Sequence, residues 1–443
     1  MSSIDVQLLV SAAAATVFFL RRYPALLVFT LGHLSSLAGF RSVELAGQPQ
    51  LFSYLPPWLY EEPNFGTGVD VMLVGTCLLA AAACAPPART RLQAGAIPPL
   101  PTAVVAALGL YFVAYFFSTR TIVEASYATA EQGSTTLGGG VYTLVWAAVL
   151  LDLRRRVDAG LSPAKALVGV VVALIVLDFL KGSTGLAAGV FVTALVGVYL
   201  PGALAHQSLP RDRTLVLART GGGLGVAAAV IMLIRQMRTM VTSHGVMGAF
   251  ERSVEVLTSS FDVHAVAGWA NGDQGTAHVL MCTTLYDFNC GRDWRSITGA
   301  VEYTFKPAIL VRYLHLQRTQ EAAWELMGYF VHGGGINIFG EFYWNGGWTC
   351  LLIMGTVLVG TLLYIDRGAH QSVWLLAMSF AVTPNLVQGY GYGYAQTFRG
   401  LANGVFFLLP AVAYLRFVAW SQSRAKLSVM NPNHSGGRGS ANR

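Results

Sequence analysis

Apolar runs of membrane-spanning length recur along most of this chain. A helix of about 20 apolar residues crosses roughly 30 Å of hydrocarbon. Runs near that length occur at about 5–20, 24–40, 68–85, 103–118, 138–152, 165–180, 184–201, 220–234, 347–365, 371–389 and 400–420. The pattern predicts about eleven transmembrane helices, of which the first and the fifth are short.

Composition agrees with this pattern. Of the 443 residues, 54% are hydrophobic and only 12% are charged, and the mean hydropathy is +0.53. A soluble domain of this length does not have such a composition. The expected fold class is therefore an all-α polytopic membrane protein.

The distribution of basic residues predicts the orientation. Short cytoplasmic loops retain Lys and Arg, and here alternate turns and the C-terminal tail are the basic ones, as in Arg154-Arg155-Arg156. The N-terminus is then expected on the outer side of the membrane and the C-terminus in the cytoplasm. The net charge of +7 mostly reflects this topology, with some attraction of the tail to anionic membrane lipid. It indicates no nucleic-acid partner.

One long polar interval, 235–346, interrupts the apolar pattern. The chain divides into transmembrane helices 1–8 (1–234), a periplasmic loop subdomain (235–346), transmembrane helices 9–11 (347–420) and a disordered cytoplasmic tail (421–443). Periodicity predicts amphipathic helices in the loop near 245–258, 297–315 and 318–331. Long loops are usually lids or binding elements, so we expect a cap over a membrane-bound substrate. A structural plug is the alternative.

Two cysteines in the loop segment, Cys282 and Cys290, are eight residues apart. The periplasm is oxidising, so we expect a disulfide between them. The alternative is two free thiols in a packed subdomain. No metal site is expected, because no metal-ligand spacing of Cys or His accompanies them.

Charged and aromatic residues at the predicted outer ends of helices suggest a phosphate-binding site. Arg235 and Arg238 are three residues apart and share one face of the eighth helix. Lys181 lies at the outer end of the sixth helix, and Arg399 follows an aromatic turn that includes Tyr392. Guanidinium groups bind phosphate oxygens at fixed geometry. For each charged residue the alternative is an interfacial anchor or an internal ion pair.

The segment Gly340-Glu341-Phe342-Tyr343-Trp344-Asn345-Gly346-Gly347 leads directly into an apolar run. It resembles a segment near the C-terminal end of bacterial O-antigen and capsule polymerases of the Wzy type. Two weaker segments are also similar to that family. Lys181-Gly182-Ser183-Thr184-Gly185 resembles a G-S-R-G segment with Thr184 in place of the arginine, for which Lys181 would supply the charge. Lys306-Pro307 resembles a K-P pair of the long loop.

This resemblance implies a GT-C-like membrane glycosyltransferase of the bacterial inner membrane, with a periplasmic N-terminus and one large helical periplasmic loop. Such an enzyme transfers a growing glycan from undecaprenyl diphosphate onto a lipid-linked repeat unit, without a nucleotide sugar, a cofactor or a required metal. The partner is then an undecaprenyl-diphosphate-linked oligosaccharide, and a chain-length regulator is a further candidate partner.

The expected site residues follow from that chemistry. The leaving diphosphate needs cations, for which the candidates are Arg235, Arg238, Arg312 and Arg399. The attacking hydroxyl needs a general base. Glu341 is the first candidate for the base, followed by His332 and Asp273, while Tyr343 and Asn345 would orient the sugar or the backbone. Alternatively, Glu341 only stabilises a helix N-terminus.

Three other functions stay open. An O-antigen ligase shares the layout and the donor. A polyprenyl-phosphate-sugar transferase of the GT-C type would use acidic residues of the first external loop, here Glu61 and Glu62. A transporter or flippase should show internal repeats and charges at the bilayer midplane, and the sequence shows neither.

Overall fold

In the computed structural model the described residues are 2–46, 56–88, 136–162, 165–180, 184–205, 209–259, 272–295, 322–330 and 336–392, with isolated positions outside these ranges. We number the helices in chain order: α1 (Ser3–Arg21), α2 (Pro24–Ala46), α3 (Asn64–Cys84), α4 (Thr136–Asp158), α5 (Lys165–Leu180), α6 (Thr184–Val192), α7 (Leu200–Ala205), α8 (Pro210–Ser259), α9 (Gly272–Asp287), α10 (Ala322–Tyr329), α11 (Ile338–Ala369) and α12 (Val373–Tyr392). A π-helical segment, Thr193–Tyr199, joins α6 to α7, and a short 3-10 helix covers Pro57–Tyr60.

Nine of the predicted apolar runs overlap these helices, and the run at 165–180 coincides with α5. The run at 103–118 lies outside the described residues, and only isolated positions of the run at 400–420 are described. Within the described part, 5 helices are long and apolar enough to cross a membrane: Ser3–Arg21, Pro24–Leu45, Asn64–Cys84, Ala188–Ala205 and Ile338–Ala369. The protein is thus helical with several apolar helices, as in a multi-pass membrane protein. Eleven spans and a GT-C-like fold stay predictions.

The largest hydrophobic core is built from α1, α2, α3, α9 and α11. Helix α9 lies within the interval that we predicted to be a separate loop subdomain. It packs against α2, α3 and α11 and buries Val279, Leu280 and Met281 in the same core. This part of the interval is therefore continuous with the helical bundle.

Small residues allow α9 to approach its neighbours closely. A Cβ atom on Gly275 would clash with the Ser36 hydroxyl of α2, and one on Gly340 of α11 would lie 3.0 Å from the Cα atom of Val279. Close backbone approach at small residues is typical of helix packing in membranes. The Asn337 side chain donates to the Ser36 hydroxyl at 3.2 Å, so the start of α11 is attached to α2.

A second core joins α4, α12 and the segment around α6, with Trp146, Val198 and Phe380 fully or nearly fully buried. Beside it, the Arg154 guanidinium donates to the carbonyl of Gly197 at 2.7 Å, within the π-helical segment. The predicted cytoplasmic arginines at the end of α4 are paired. Asp152 accepts from both Arg155 and Arg156, and Asp158 accepts from Arg154.

A buried carboxylate connects three helices near the end of α11. Asp366 is fully buried. Its oxygens accept from the backbone amides of Ala25 at 3.3 Å and Leu26 at 2.9 Å, in the first turn of α2. The Ser379 hydroxyl of α12 also donates to it, at 2.9 Å. Because first-turn amides have no partner within their own helix, Asp366 acts as the N-terminal cap of α2 from a distant part of the chain.

Candidate functional site at the break in α11

Residues 338–345, which include most of the Gly340–Gly347 segment, are helical rather than part of a loop. Asn337 caps the start of α11, since its side-chain oxygen accepts from the amides of Phe339 and Gly340. Residues 338–345 are all buried. The helix then breaks at Gly346 and Gly347, where the backbone leaves helical geometry. The boundary at 346/347 that we predicted between loop and membrane helix coincides with this break, which lies within Ile338–Ala369.

The loop that follows α9 binds the polar backbone groups exposed by this break. The carbonyl of Trp344 accepts from the amide of Arg292 at 3.0 Å, and that of Asn345 accepts from the amide of Trp294 at 2.9 Å. The Trp344 indole donates to the carbonyl of Cys290 at 2.7 Å. Buried carbonyls need such partners, so the loop 288–295 stabilises the break.

Gly347 is required at the break for two reasons. Its φ is 60°, in the left-handed region that favours glycine. A Cβ atom there would also lie only 2.5 Å from the hydroxyl oxygen of Tyr286. The Tyr286 side chain can therefore lie against the broken backbone.

A buried ionic network connects α11, just before the break, to the loop after α9 and to α10. Arg292 is only 1% exposed, and its Nε atom lies 2.9 Å from a carboxylate oxygen of Glu325 on α10. Its Nη1 atom lies 3.8 Å from a carboxylate oxygen of Glu341, which is also buried. The guanidinium group stacks over the Trp344 ring at 5.3 Å. At the exposed edge, Arg295 lies 3.5 Å from Glu325. Two cations and two carboxylates thus face each other, as burial of charge requires.

A second polar contact at the site joins a carboxylate to a phenol. Asp287 is the last residue of α9 and is exposed. The Tyr343 hydroxyl donates to its Oδ1 atom at 3.3 Å. Partial burial raises the pKa of Asp287 above its ordinary value, and the hydrogen bond from Tyr343 opposes that rise.

Aromatic rings surround this pair. The Tyr343 ring packs edge-to-face on Tyr286 at 5.0 Å and on Trp348 at 5.1 Å between centroids. Trp348 is 43% exposed and Phe288 is 68% exposed. Phe288 contacts Trp58 with centroids 6.4 Å apart. The exposed Trp348 ring is therefore connected to the Asp287 carboxylate through Tyr343, which contacts both.

The structure brings three of the predicted site residues together, namely Glu341, Tyr343 and Asn345, on the first part of α11. The Asn345 amide donates to the carbonyl of Glu341 at 2.7 Å, so it stabilises its own helix turn. Arg235 and Arg238 lie on α8, and Tyr392 is the last residue of α12, but the structure does not describe their side chains. Four further candidates lie outside the described residues: Lys181, Arg312, His332 and Arg399.

The expected disulfide is absent, because Cys282 and Cys290 are both free thiols. Cys282 is fully buried on α9 against Gly340, whereas Cys290 lies beyond the helix end and contacts the carbonyl of Phe288. The helix therefore directs one thiol into the core and leaves the other at the surface. Burial raises the pKa of the Cys282 thiol well above its ordinary value, and the nearby Glu341 carboxylate adds to the rise. A neutral thiol in the core is unreactive.

Sequence reasoning missed Arg292, Glu325 and Asp287, which carry most of the charge at this site. They come from three separate elements, namely α9, the loop after it and α10, and only Glu325 lies within an amphipathic helix that the sequence predicts, 318–331. One available signal was the concentration of Asp, Arg and Trp in 287–295, directly after an apparent helix. Among the described residues, no group of three His, Cys, Asp or Glu side chains is arranged to hold a metal ion.

Comparison with known proteins adds no assignment, because no family model, curated protein or solved structure matches the chain. The functional interpretation depends on the residues of this chain alone.

Proposed function

We propose that the protein is a membrane glycosyltransferase of the polysaccharide-polymerase type. It would transfer a growing glycan from a polyprenyl diphosphate onto a lipid-linked repeat unit at the periplasmic face of the bacterial inner membrane. The observation that supports this proposal best is the position of the polymerase-like segment. Glu341 and Tyr343 lie at a helix break in α11, just before its apolar part, with exposed polar and aromatic side chains beside them.

The reaction has simple requirements. A sugar hydroxyl of the acceptor attacks the anomeric carbon of the donor, its proton goes to a base, and the diphosphate leaves with the bonding electrons. A site at the membrane surface suits two lipid-linked substrates. The proposed cations for the diphosphate are Arg235, Arg238, Arg312 and Arg399, since its developing charge needs fixed positive partners.

The buried position of Glu341 favours a positioning role over the role of base. Its carboxylate faces Arg292, and both side chains are at most 2% exposed. In the proposed enzyme, Glu341 holds Arg292 and with it the loop 288–295 that borders the exposed surface.

The direct test uses purified protein and lipid-diphosphate-linked repeat units, with products separated on a gel. A ladder of lengthening glycans without nucleotide sugar or metal is expected. Arg235→Ala and Arg399→Ala should each abolish the ladder, Glu341→Gln should shorten it, and all three variants should insert into the membrane. Normal-length polymer from these variants would refute the site assignment.

Two outcomes would redirect the proposal. Absence of a ladder with a competent substrate, together with single-step transfer to a lipid A core acceptor, would indicate a ligase. Glu61 and Glu62 are both exposed, just before α3. Loss of all activity in the Glu61→Gln/Glu62→Gln variant would favour the transferase that uses acidic residues of the first external loop.

A further inference from the structure

Asp287 occupies a position that is unfavourable for a carboxylate. It ends α9, and the C-terminus of a helix carries partial negative charge that repels an anion. The last turn of α9 contains no basic residue that would compensate. The structure therefore places a negative group where folding alone would not favour one.

Six acidic side chains of the described helices and loops are compensated by arginine, whereas Asp287, like the exposed Glu61, Glu62 and Asp70, has no ion pair among the described residues. Ion pairs within 4 Å join arginine to each of Asp5, Glu44, Asp152, Asp158, Glu325 and Glu341. Within the described part of the chain, no such pair includes Asp287. Its hydrogen bond comes from the neutral phenol of Tyr343. Because a carboxylate has about four acceptor sites, the exposed side of Asp287 can accept further hydrogen bonds from a ligand.

The Asp287 carboxylate lies near the expected membrane surface, because its partner Tyr343 comes just before the apolar part of α11. After the break, residues 348–369 form a helix of roughly 33 Å, which matches the hydrocarbon thickness. Trp348 is the first residue of that part, and Trp and Tyr are enriched at membrane interfaces. A ligand at Asp287 would therefore lie just outside the apolar layer.

We infer that Asp287, Tyr343 and Trp348 form a binding subsite for a sugar ring of the lipid-linked substrate. The inference rests on the proposed function and names a site for its saccharide. The C–H face of a sugar packs on the exposed Trp348 ring, while a sugar hydroxyl donates to Asp287. Tyr343 holds the carboxylate in place. A few polar groups among aromatic side chains are typical of small-ligand sites.

A lipid headgroup with an amine is the competing ligand, since ammonium groups also bind carboxylates and ring faces. The Tyr343 ring is only 4% exposed, whereas Trp348 is 43% exposed, so of these two rings only Trp348 offers an open face, and a cation cage needs several. The observed arrangement favours the flat face of a sugar.

The test combines binding and kinetics on purified full-length protein in lipid nanodiscs. Asp287→Asn keeps the shape of the side chain, and Trp348→Ala removes the ring. Each has a matched control, Asp293→Asn and Trp420→Ala, because both control residues are exposed and Asn tolerates the positive φ of Asp293. Binding is measured on an array of immobilised bacterial oligosaccharides. The KM for the lipid-linked repeat unit is measured in the gel assay.

We expect Asp287→Asn and Trp348→Ala each to weaken glycan binding and raise KM by roughly ten- to hundredfold, with both controls near wild type. Three results would overturn the subsite: no glycan binding by the wild-type protein, wild-type binding and KM in both variants, or Asp287-dependent binding of phosphatidylethanolamine vesicles instead of glycans. Glycan binding that depends on Asp287 without any ladder would support the subsite and refute the polymerase. A ladder with unchanged KM in both variants would support the polymerase and refute the subsite.

Discussion

Replacing Arg292 by methionine tests whether the buried ionic network holds the site together. The guanidinium is 1% exposed and lies between Glu325 and Glu341. Its removal leaves the Glu341 carboxylate buried without this cation. Breaking a buried pair in this way costs about 3–5 kcal/mol. We therefore expect Arg292→Met to lower the free energy of unfolding by about that amount, as measured by SDS titration in mixed micelles.

A matched control and a double variant make this test specific. Arg295 also pairs with Glu325, but it is 55% exposed, so Arg295→Met should cost less than about 1 kcal/mol. In the Arg292→Met/Glu341→Leu variant neither buried charge of that pair remains, and about 2 kcal/mol or more should be recovered as coupling energy. Equal effects of Arg292→Met and Arg295→Met, or strictly additive losses in the double variant, would refute the network as described.

Two other predictions concern the backbone and pH. Gly347→Ala should destabilise the protein by about 1–3 kcal/mol, because Gly347 has a positive φ and lies close to the Tyr286 hydroxyl. The control Gly360→Ala should be neutral or stabilising, because there is open space around Gly360. Equal stability of the two variants in the same titration would contradict this prediction. Burial, with a smaller effect of Arg22, lowers the pKa of His370 to about 4 from 6.5. The unfolded chain then binds a proton first as pH falls, so stability should drop by about 2 kcal/mol between pH 7 and 5. His370→Gln should abolish that loss, and an unchanged pH profile would show that His370 does not cause it.

The apolar pattern predicted the helices well where burial or lipid surrounds a continuous apolar run, as in α5 and α1. It did not predict the helical residues 338–345 before the break in α11. The polar and glycine-rich residues before Trp348 resemble a loop, and the helix there depends on the Asn337 cap and on packing against α9. Such tertiary contacts leave no periodic signal in the sequence.

The same limit applies to the site. Glu341 and Tyr343 were predicted from a family-like segment that precedes an apolar run, and they lie together just before the break. Their partners Arg292 and Asp287 are about fifty residues earlier in the chain. The ion pair of Arg292 with Glu341 and the hydrogen bond of Tyr343 to Asp287 depend on the packing of α9 on α11. A pattern within one segment carries no information on such pairs.

The cap that Asp366 provides for α2 has a consequence for biogenesis. The amide of Leu26 and its acceptor are 340 residues apart. At about 5–20 residues per second, the ribosome needs roughly 17–70 seconds to make the intervening chain. During that interval the first helical hairpin must remain in the translocon or lipid with its amides bound to water or headgroups. Helix α11, which is synthesised late, therefore completes the N-terminal end of α2, and a chain truncated before Asp366 would leave that end without its cap.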